Sequence, residues 1–252
     1  MCRIAGYIGP AIPLENIVTA PQHSLLEQSQ HATEAKIAVN GDGFGLAWYG
    51  DGTAPGLFRD VLPAWADSNL AHLCRMVQSP LFLAHVRAST VGETSRVNCH
   101  PFTHGRWSFC HNGQIPHFAQ IRRRMEQALP DDLYAARQGT TDSEVIFLTL
   151  LANGLDDDPQ AALAATLAQI GPQVDAPVKL TCCMTDGDRL FGFRHASSGA
   201  APTLYLSGAL DSGGRAMASE PLCSTADRWT MIPTDTLCRL DRAACQMVPL
   251  AA

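Results

Sequence analysis

Two blocks of short, strand-like apolar runs, separated by one block of helical sequence, constrain the fold of this chain most strongly. The first block comprises CRIAGYIG (2–9), GDGFGLAWYGDG (41–52), SPLFLAHVRAST (79–90) and RWSFCHNG (106–113). The second comprises VKLTCCMTDGDRLFGFRH (178–195), TLYLSGAL (203–210), GRAMASEP (214–221) and WTMIPTDTLCRL (229–240). Strands that precede and follow a group of helices do not form βαβ units. The order predicts an α+β fold with two antiparallel sheets and helices on the outside.

Local signals define the helices and turns more closely. Residues 116–129 have helical spacing, with Pro116 in the first turn. Thr141 and Glu144 form a capping box before an apolar helix that should stop near Gly154. A further helix should end at Gly171, and Asp186-Gly187-Asp188 predicts a hairpin. Glycines should break 41–52 into two strand pieces, and RWSFCHNG should end in a turn.

Composition excludes several classes of protein. The chain has 252 residues and a formal net charge of -6, and its one basic run, 122–124, lies in a predicted helix. We therefore expect no nucleic-acid partner. No apolar run reaches membrane-spanning length, and the nine cysteines contain no CxxC pair. A cytoplasmic protein with reduced thiols, folded as one domain over residues 1–252, is the simplest expectation.

Cys2 is a candidate nucleophile because of its position in the chain. If Met1 is removed, the thiol and a free α-amine share one carbon. An α-amine with a pKa near ~8 can act as the base for its own thiol near neutral pH. By itself a Met-Cys start occurs by chance, so the dipeptide needs support from the rest of the chain.

Three further motifs each allow a structural and a functional interpretation. Asn112-Gly113 is either a hairpin turn or an oxyanion hole formed by the amide side chain and the glycine N–H. Arg87, in an apolar strand, is either in a structural ion pair or a receptor for an anionic ligand. Asp142 is favoured by the dipole of its helix or is a receptor for a ligand ammonium. Together with Cys2, the functional interpretations provide the groups needed for one substrate end, a γ-glutamyl amide.

Cys2, Arg87, HNG at 111–113 and the Asp142 motif resemble, in order and approximate spacing, those of class II glutamine amidotransferases. The resemblance covers nearly the whole chain and implies the N-terminal-nucleophile hydrolase fold, a four-layer αββα sandwich. It implies that Cys2 attacks the amide and that Asn112 and Gly113 form the oxyanion hole. It also implies that Arg87 and Thr90 hold the α-carboxylate, and Asp142 the α-amine. No metal or organic cofactor is implied.

Four segments look most like a stand-alone branch of that family: PQHSLLEQS (21–29), the NGDGFGLAWY run, NCHPF (98–102) and MASEPL (217–222). That branch includes the γ-glutamyl amidohydrolase of ergothioneine biosynthesis and relatives in glutathione breakdown. Members that feed synthetases often carry Trp after the arginine, where this chain has Ala88. No nucleotide-binding glycine motif accompanies the hydrolase residues. We therefore expect hydrolysis of a small-molecule γ-glutamyl amide, with the amine-side pocket built from loops such as 60–70 and 200–214.

Two alternatives stay open at this stage. The chain could be a glutaminase subunit that hands ammonia to a separate synthetase. A homo-oligomer is also a possible assembly. Cys99-His100 and Cys110-His111 could also be ligands of a zinc site in a protein without enzymatic activity. Neighbouring residues on a strand point to opposite faces, however, so one member of each Cys-His pair would be turned away.

Overall fold

The protein is described by a computed structural model over residues 2–35, 38–89, 93–223 and 228–250, and two antiparallel sheets form its centre. The helices in these residues are α1 (Glu15–Val18), α2 (Leu25–Gln30), α3 (Ser68–Met76), α4 (Phe118–Gln127), α5 (Asp131–Ala136), α6 (Asp142–Ala152) and α7 (Pro159–Ile170). The strands are β1 (Arg3–Pro13), β2 (Phe44–Trp48), β3 (Gly56–Asp60), β4 (Gln78–Val86), β5 (Phe102–His104), β6 (Trp107–Gln114), β7 (Lys179–Thr185), β8 (Leu190–Ala196), β9 (Tyr205–Ser207), β10 (Arg215–Ala218), β11 (Trp229–Met231), β12 (Thr236–Leu240) and β13 (Cys245–Pro249).

The first sheet has the order β11-β9-β10-β1-β4-β2-β3, which makes the N-terminal strand its central strand. Side chains of β1 alternate between two cores because successive residues of a strand point to opposite faces. Ile4 and Ile8 pack toward the second sheet, whereas Ala5 and Tyr7 pack with the α1–α3 layer. A strand buried on both faces reads as a continuous apolar run, as β1 does.

The second sheet has the order β13-β12-β8-β7-β6-β5 and packs on the first through a shared apolar core. Leu83 from the first sheet and Cys110, Cys183 and Leu190 from the second lie in that core, all fully buried. The outer face of the second sheet packs against α4, α6 and α7. The layers therefore run helix, sheet, sheet, helix, which confirms the predicted αββα sandwich.

Three helices on the first sheet were missed by sequence reasoning. They have four, six and nine residues, shorter than the window in which helical periodicity is recognisable. The longest, α3, buries only Leu70 and Cys74, so its apolar stripe is short. Asp67 caps it by accepting a hydrogen bond from Asn69 N–H (2.8 Å).

Two local predictions were wrong. Residues 44–48 form one unbroken strand, and Gly45 lies within it: a Cβ there would stand 2.2 Å from the carbonyl oxygen of His100. That glycine permits a close backbone approach rather than a break. HNG is not a turn either, because β6 continues to Gln114 and pairs Asn112 with Thr181. The neighbouring strand supplies the pairing that the local sequence does not show.

The capping and hairpin predictions agree with the structure. Thr141 accepts a hydrogen bond from Glu144 N–H (3.2 Å) at the start of α6, and Gly171 follows the last residue of α7. The Asp186-Gly187-Asp188 turn joins β7 to β8 through the pair Thr185 and Leu190. Helix α4 begins at Phe118, so Pro116 precedes the helix rather than occupying its first turn.

Candidate active site

A cavity of about 590 Å³ opens beside Cys2, where the start of β1 lies near the end of β6 from the other sheet. Its volume falls within the range usual for sites that bind small molecules. The residues that line it are Cys2, Glu34, Ala88, Asn112, Gly113, Gln114, Pro116, Pro177, Lys179, Ala200, Ala201, Pro202 and Thr203. Three predicted site residues, Cys2, Asn112 and Gly113, thus share one cavity although 110 positions separate them in the chain.

Cys2 is held at the cavity wall by the segment that follows strand β4. The β1–β4 register pairs Arg3 with Val86, so its continuation sets Cys2 opposite Arg87, next to Ala88. Ala88 N–H donates to Cys2 Sγ (3.4 Å), and the thiol donates to Ala88 O (3.6 Å). Burial raises the pKa of the Cys2 thiol, while the Ala88 N–H and the charges of Arg87 and Arg3 oppose the increase. A thiol in this setting needs a base to become a nucleophile. Met1 lies outside the described residues.

Asn112 is a buried amide whose side chain has no partner. It lies on the same face of β6 as Cys110, toward the space between the sheets, and only 1% of its surface is exposed. Neither Nδ2 nor Oδ1 forms a hydrogen bond with any described residue. The next position must be glycine, since a Cβ at Gly113 would lie 2.0 Å from Lys179 O. The strand end therefore presents an unpaired amide beside the Cys2 thiol.

Arg87 is buried behind Cys2 and is held by the loop before β2 and by its own segment after β4. Its guanidinium donates to Asp42 O (3.4 Å) and to Ser89 Oγ (3.1 Å). Within the described part of the chain it forms no ion pair with a carboxylate. The structural ion pair considered for this residue is therefore not seen there. Thr90, its predicted companion, lies outside the described residues.

Asp142, the first residue of α6, connects the helix to the segment that follows Gly113. Its Oδ2 accepts from Ile115 N–H (2.8 Å), and Oδ1 accepts from Ser143 N–H (2.8 Å). The carboxylate thus does more than interact with the dipole of its own helix. Neither Asp142 nor Arg87 lines the cavity, so the two predicted charge receptors lie apart from the cavity wall.

A layer of buried histidines stands behind these residues and was not predicted. Ser143 Oγ donates to Asp142 (3.3 Å) and lies 2.9 Å from His111 Nδ1, so Ser143 connects the carboxylate to the imidazole. His85 Nε2 donates to His111 O (3.4 Å), and its ring packs 4.2 Å from that of His100. Burial lowers the pKa of all three, that of His85 to about 3, so the layer is neutral near pH 7.

A buried ion pair adjacent to Cys2 was also missed. Arg3, fully buried, donates to Glu220 Oε1 (2.9 Å). Glu220 also accepts from the backbone N–H groups of Thr33 and Glu34, which fixes the segment that carries Glu34 to the cavity. The hydrogen bonds from Thr33 and Glu34 hold the pKa of the Glu220 carboxyl below its usual value despite burial. In the sequence, the only indication of this ion pair was the MASEPL segment, which contains Glu220.

The Cys-His pairs are not assembled as a ligand set. Cys110 packs in the core between the sheets, while His111 points the other way, toward Ser143. In the described ranges, no three His, Cys, Asp or Glu side chains lie close enough to hold a metal ion. Nor does any helix of these ranges combine the length and apolar character needed to cross a membrane.

The sequence of this chain matches a known protein family. The family model described as "Glutamine amidotransferases class-II" matches residues 16–204, a range that begins after Cys2. The probable glutamine amidotransferase DUG3 of Saccharomyces cerevisiae is 31% identical, over 99% of this chain and 84% of its own length. The gamma-glutamyl-hercynylcysteine sulfoxide hydrolase of Mycobacterium tuberculosis is 31% identical, over 75% of each.

Solved structures of amidotransferases also resemble this chain. A glutamine aminotransferase class-II domain protein from Silicibacter pomeroyi matches over the full length of both chains, with a TM-score of 0.80 and 33% identity. Glutamine phosphoribosylpyrophosphate amidotransferase from B. subtilis matches with a TM-score of 0.67, over 99% of this chain and 49% of its own. At 14% identity that second match supports the fold alone. The chain belongs to the class II glutamine amidotransferases, enzymes that hydrolyse amide bonds.

Proposed function

We propose that this enzyme hydrolyses the amide bond of γ-glutamyl amines, with Cys2 as the nucleophile after removal of Met1. The observation that carries the proposal is the unpaired side chain of Asn112 on the cavity that Cys2 lines. A buried amide without hydrogen bonds costs about 1–3 kcal/mol. That cost is understandable if the amide donates to an oxyanion that exists only during the reaction.

The reaction follows from the groups at the cavity. The α-amine of Cys2 takes the thiol proton, and the thiolate attacks the γ-carbonyl carbon. Asn112 Nδ2 and Gly113 N–H stabilise the oxygen that becomes negative. The tetrahedral intermediate collapses, and the departing amine takes the proton from the α-ammonium. Water then attacks the thioester, which releases glutamate and restores the thiol.

The glutamyl end would be held by the charge receptors behind Cys2. Arg87, which carries no carboxylate partner among the described residues, would bind the α-carboxylate together with Thr90. Asp142 would bind the α-ammonium. Opposite charges on one α-carbon then fix the orientation of the scissile carbonyl.

The cavity supports an amine larger than ammonia on the other side of the bond. Part of its wall is formed by residues 177 and 200–203, whereas residues 60–70 do not line it. A volume of about 590 Å³ is far more than a departing ammonia needs. The name of the mycobacterial relative specifies a γ-glutamyl group joined to hercynylcysteine sulfoxide, which supports a γ-glutamyl substrate other than glutamine here.

A panel of matched amides tests the proposal. Purified enzyme is mixed with glutamine, with several γ-glutamyl amino acids and with their α-glutamyl isomers, and released glutamate is measured. We expect turnover of γ-linked compounds, little turnover of α-linked isomers, and an intact mass that lacks Met1. Full activity in protein that retains Met1 would contradict the N-terminal amine mechanism. Hydrolysis of none of the γ-linked compounds would contradict the function itself.

A further inference from the structure

We propose that Lys179 selects γ-glutamyl substrates whose departing amine carries a free carboxylate, as in γ-glutamyl amino acids and peptides. This inference rests on the proposed function and specifies its substrate class. It assigns a binding role to a residue at the start of β7 that no motif in the sequence singled out.

Strand register brings Lys179 to the cavity. Lys179 pairs with Gln114, one position beyond Gly113, on the strand that carries Asn112. Alternate residues of β7 point to the same face, and Cys183 lies in the core between the sheets. Lys179 therefore points toward the space between the sheets, at its open end, and it lines the cavity.

The ammonium of Lys179 has no partner among the residues that the structure describes. It forms neither an ion pair nor a side-chain hydrogen bond with any residue that the structure describes. Nζ would lie 3.8 Å from a Cβ placed on Gly199, so the side chain reaches the segment that leads into residues 200–203. The wall around it is largely apolar, with Pro177, Ala201 and Pro202.

The other charged residue of the wall is already engaged. Both carboxylate oxygens of Glu34 lie 2.9 Å from the Tyr205 hydroxyl, and Glu34 makes no ion pair with Lys179. An unpaired cation in a largely apolar cavity is stabilised most by an anionic group on the ligand. Among the described residues of the cavity wall, Lys179 is thus the one cation without a partner.

The position of Lys179 identifies which part of the substrate it meets. Arg87 and Asp142, the proposed receptors for the glutamyl end, are not part of the cavity wall. A substrate bound through them places its amine side in the cavity, past Asn112 and toward Lys179. In a γ-glutamyl amino acid, the carboxylate stands one carbon from the scissile nitrogen. It enters the cavity with the amine, so it can reach the ammonium.

Two substrates that differ in one charge test this role. γ-Glutamyl-alanine and γ-glutamyl-alaninamide are compared on wild type, Lys179→Met and Lys179→Arg. Losing a hydrogen bond to a charged group should raise KM for γ-glutamyl-alanine by about 10- to 100-fold in Lys179→Met. KM for the alaninamide should change by less than about threefold, kcat should be kept, and Lys179→Arg should restore much of the loss.

Arg242→Met is the matched control, because it removes an exposed positive charge beside Gly9 at the far end of β1. That site lies about 23 Å along the strand from Cys2, and both KM values should stay unchanged. An equal loss for both substrates in Lys179→Met would overturn the carboxylate receptor while leaving γ-glutamyl hydrolysis intact. Wild type that hydrolyses neither compound would overturn both proposals.

Discussion

The two sides of Cys2 differ in how their polar groups are satisfied. Behind the thiol, Arg87 and Asp142 are held by hydrogen bonds with the protein itself, to Asp42 O and from Ile115 N–H. In front of it, Asn112 and Lys179 have no partner among the described residues. Groups that already have partners are positioned before any ligand arrives, whereas unpaired groups gain most when one binds. Under the proposed function, the first side would hold the glutamyl end, whereas Asn112 would stabilise the oxyanion and Lys179 would meet the group that varies.

The largest expected effect comes from the thiol of Cys2, which lies between these two sides. Cys2→Ala should abolish measurable turnover, because no other described residue on the cavity wall carries a thiol, and should leave the melting temperature nearly unchanged. Cys183→Ala is the matched control: it removes a fully buried thiol from the core between the sheets. That variant should lose about 1 kcal/mol of stability and keep its activity. Near-normal turnover in Cys2→Ala would remove Cys2 from the mechanism.

The unpaired side should be catalytically important yet cost little stability when altered. Asn112→Ala should raise the barrier by about 3 kcal/mol, a few hundredfold in kcat, with no decrease in the free energy of unfolding because no hydrogen bond is lost and an unpaired amide is removed. Thr181→Val, at the paired position on β7, should behave in the opposite way. It loses a buried hydrogen bond to Pro202 O (2.8 Å), which should cost about 1 kcal/mol of stability, while kcat stays within a few fold. Steady-state kinetics and thermal melts distinguish the two outcomes.

The satisfied side should lose binding and stability together. Asp142→Asn removes the charge and replaces one carboxylate oxygen with an NH₂ that must face the N–H of Ile115 or Ser143. We expect about 1–2 kcal/mol less stability and a KM for γ-glutamyl compounds raised by about tenfold or more. Helix capping should survive because Thr141 provides it.

Acetylating the substrate amine completes this comparison. It should harm the wild type severely and Asp142→Asn much less, because the charge pair is already absent from the variant. An equal loss in both enzymes would show that Asp142 only joins α6 to Ile115.

A pH-dependent effect on stability concerns the histidine layer behind the satisfied side. Burial lowers the pKa of His85 to about 3, so in acid the unfolded chain binds a proton that the folded chain does not. The stability from this residue is therefore complete above pH 6.5 and falls as the pH decreases toward 3, by about 2 kcal/mol between pH 6.5 and 5. Denaturant unfolding across this range should show a smaller slope for His85→Gln. Exposed His72→Gln should leave the slope unchanged.

Sequence reasoning recovered elements whose signals are local. The capped start of α6 at Thr141 and the end of α7 before Gly171 depend on side chains a few residues apart, and both are found. Short helices such as α3 were missed because most of their burial comes from packing on the first sheet rather than from periodicity. The prediction of a turn at Asn112-Gly113 was wrong for a similar reason. Pairing with β7 outweighs the turn preference of the dipeptide.

For the candidate site, the sequence by itself determined the chemical groups: a thiol at Cys2, an amide at Asn112 and charges at Arg87 and Asp142. Only the tertiary structure decided which of them share a cavity. Strands β1 and β6 belong to different sheets, and their meeting depends on the core between those sheets. The structure also decided that Lys179 faces the same cavity, since register with Gln114 sets its face. Burial, pairing and register arise from long-range contacts, so the unpaired state of Asn112 and Lys179 could not be read from neighbouring residues.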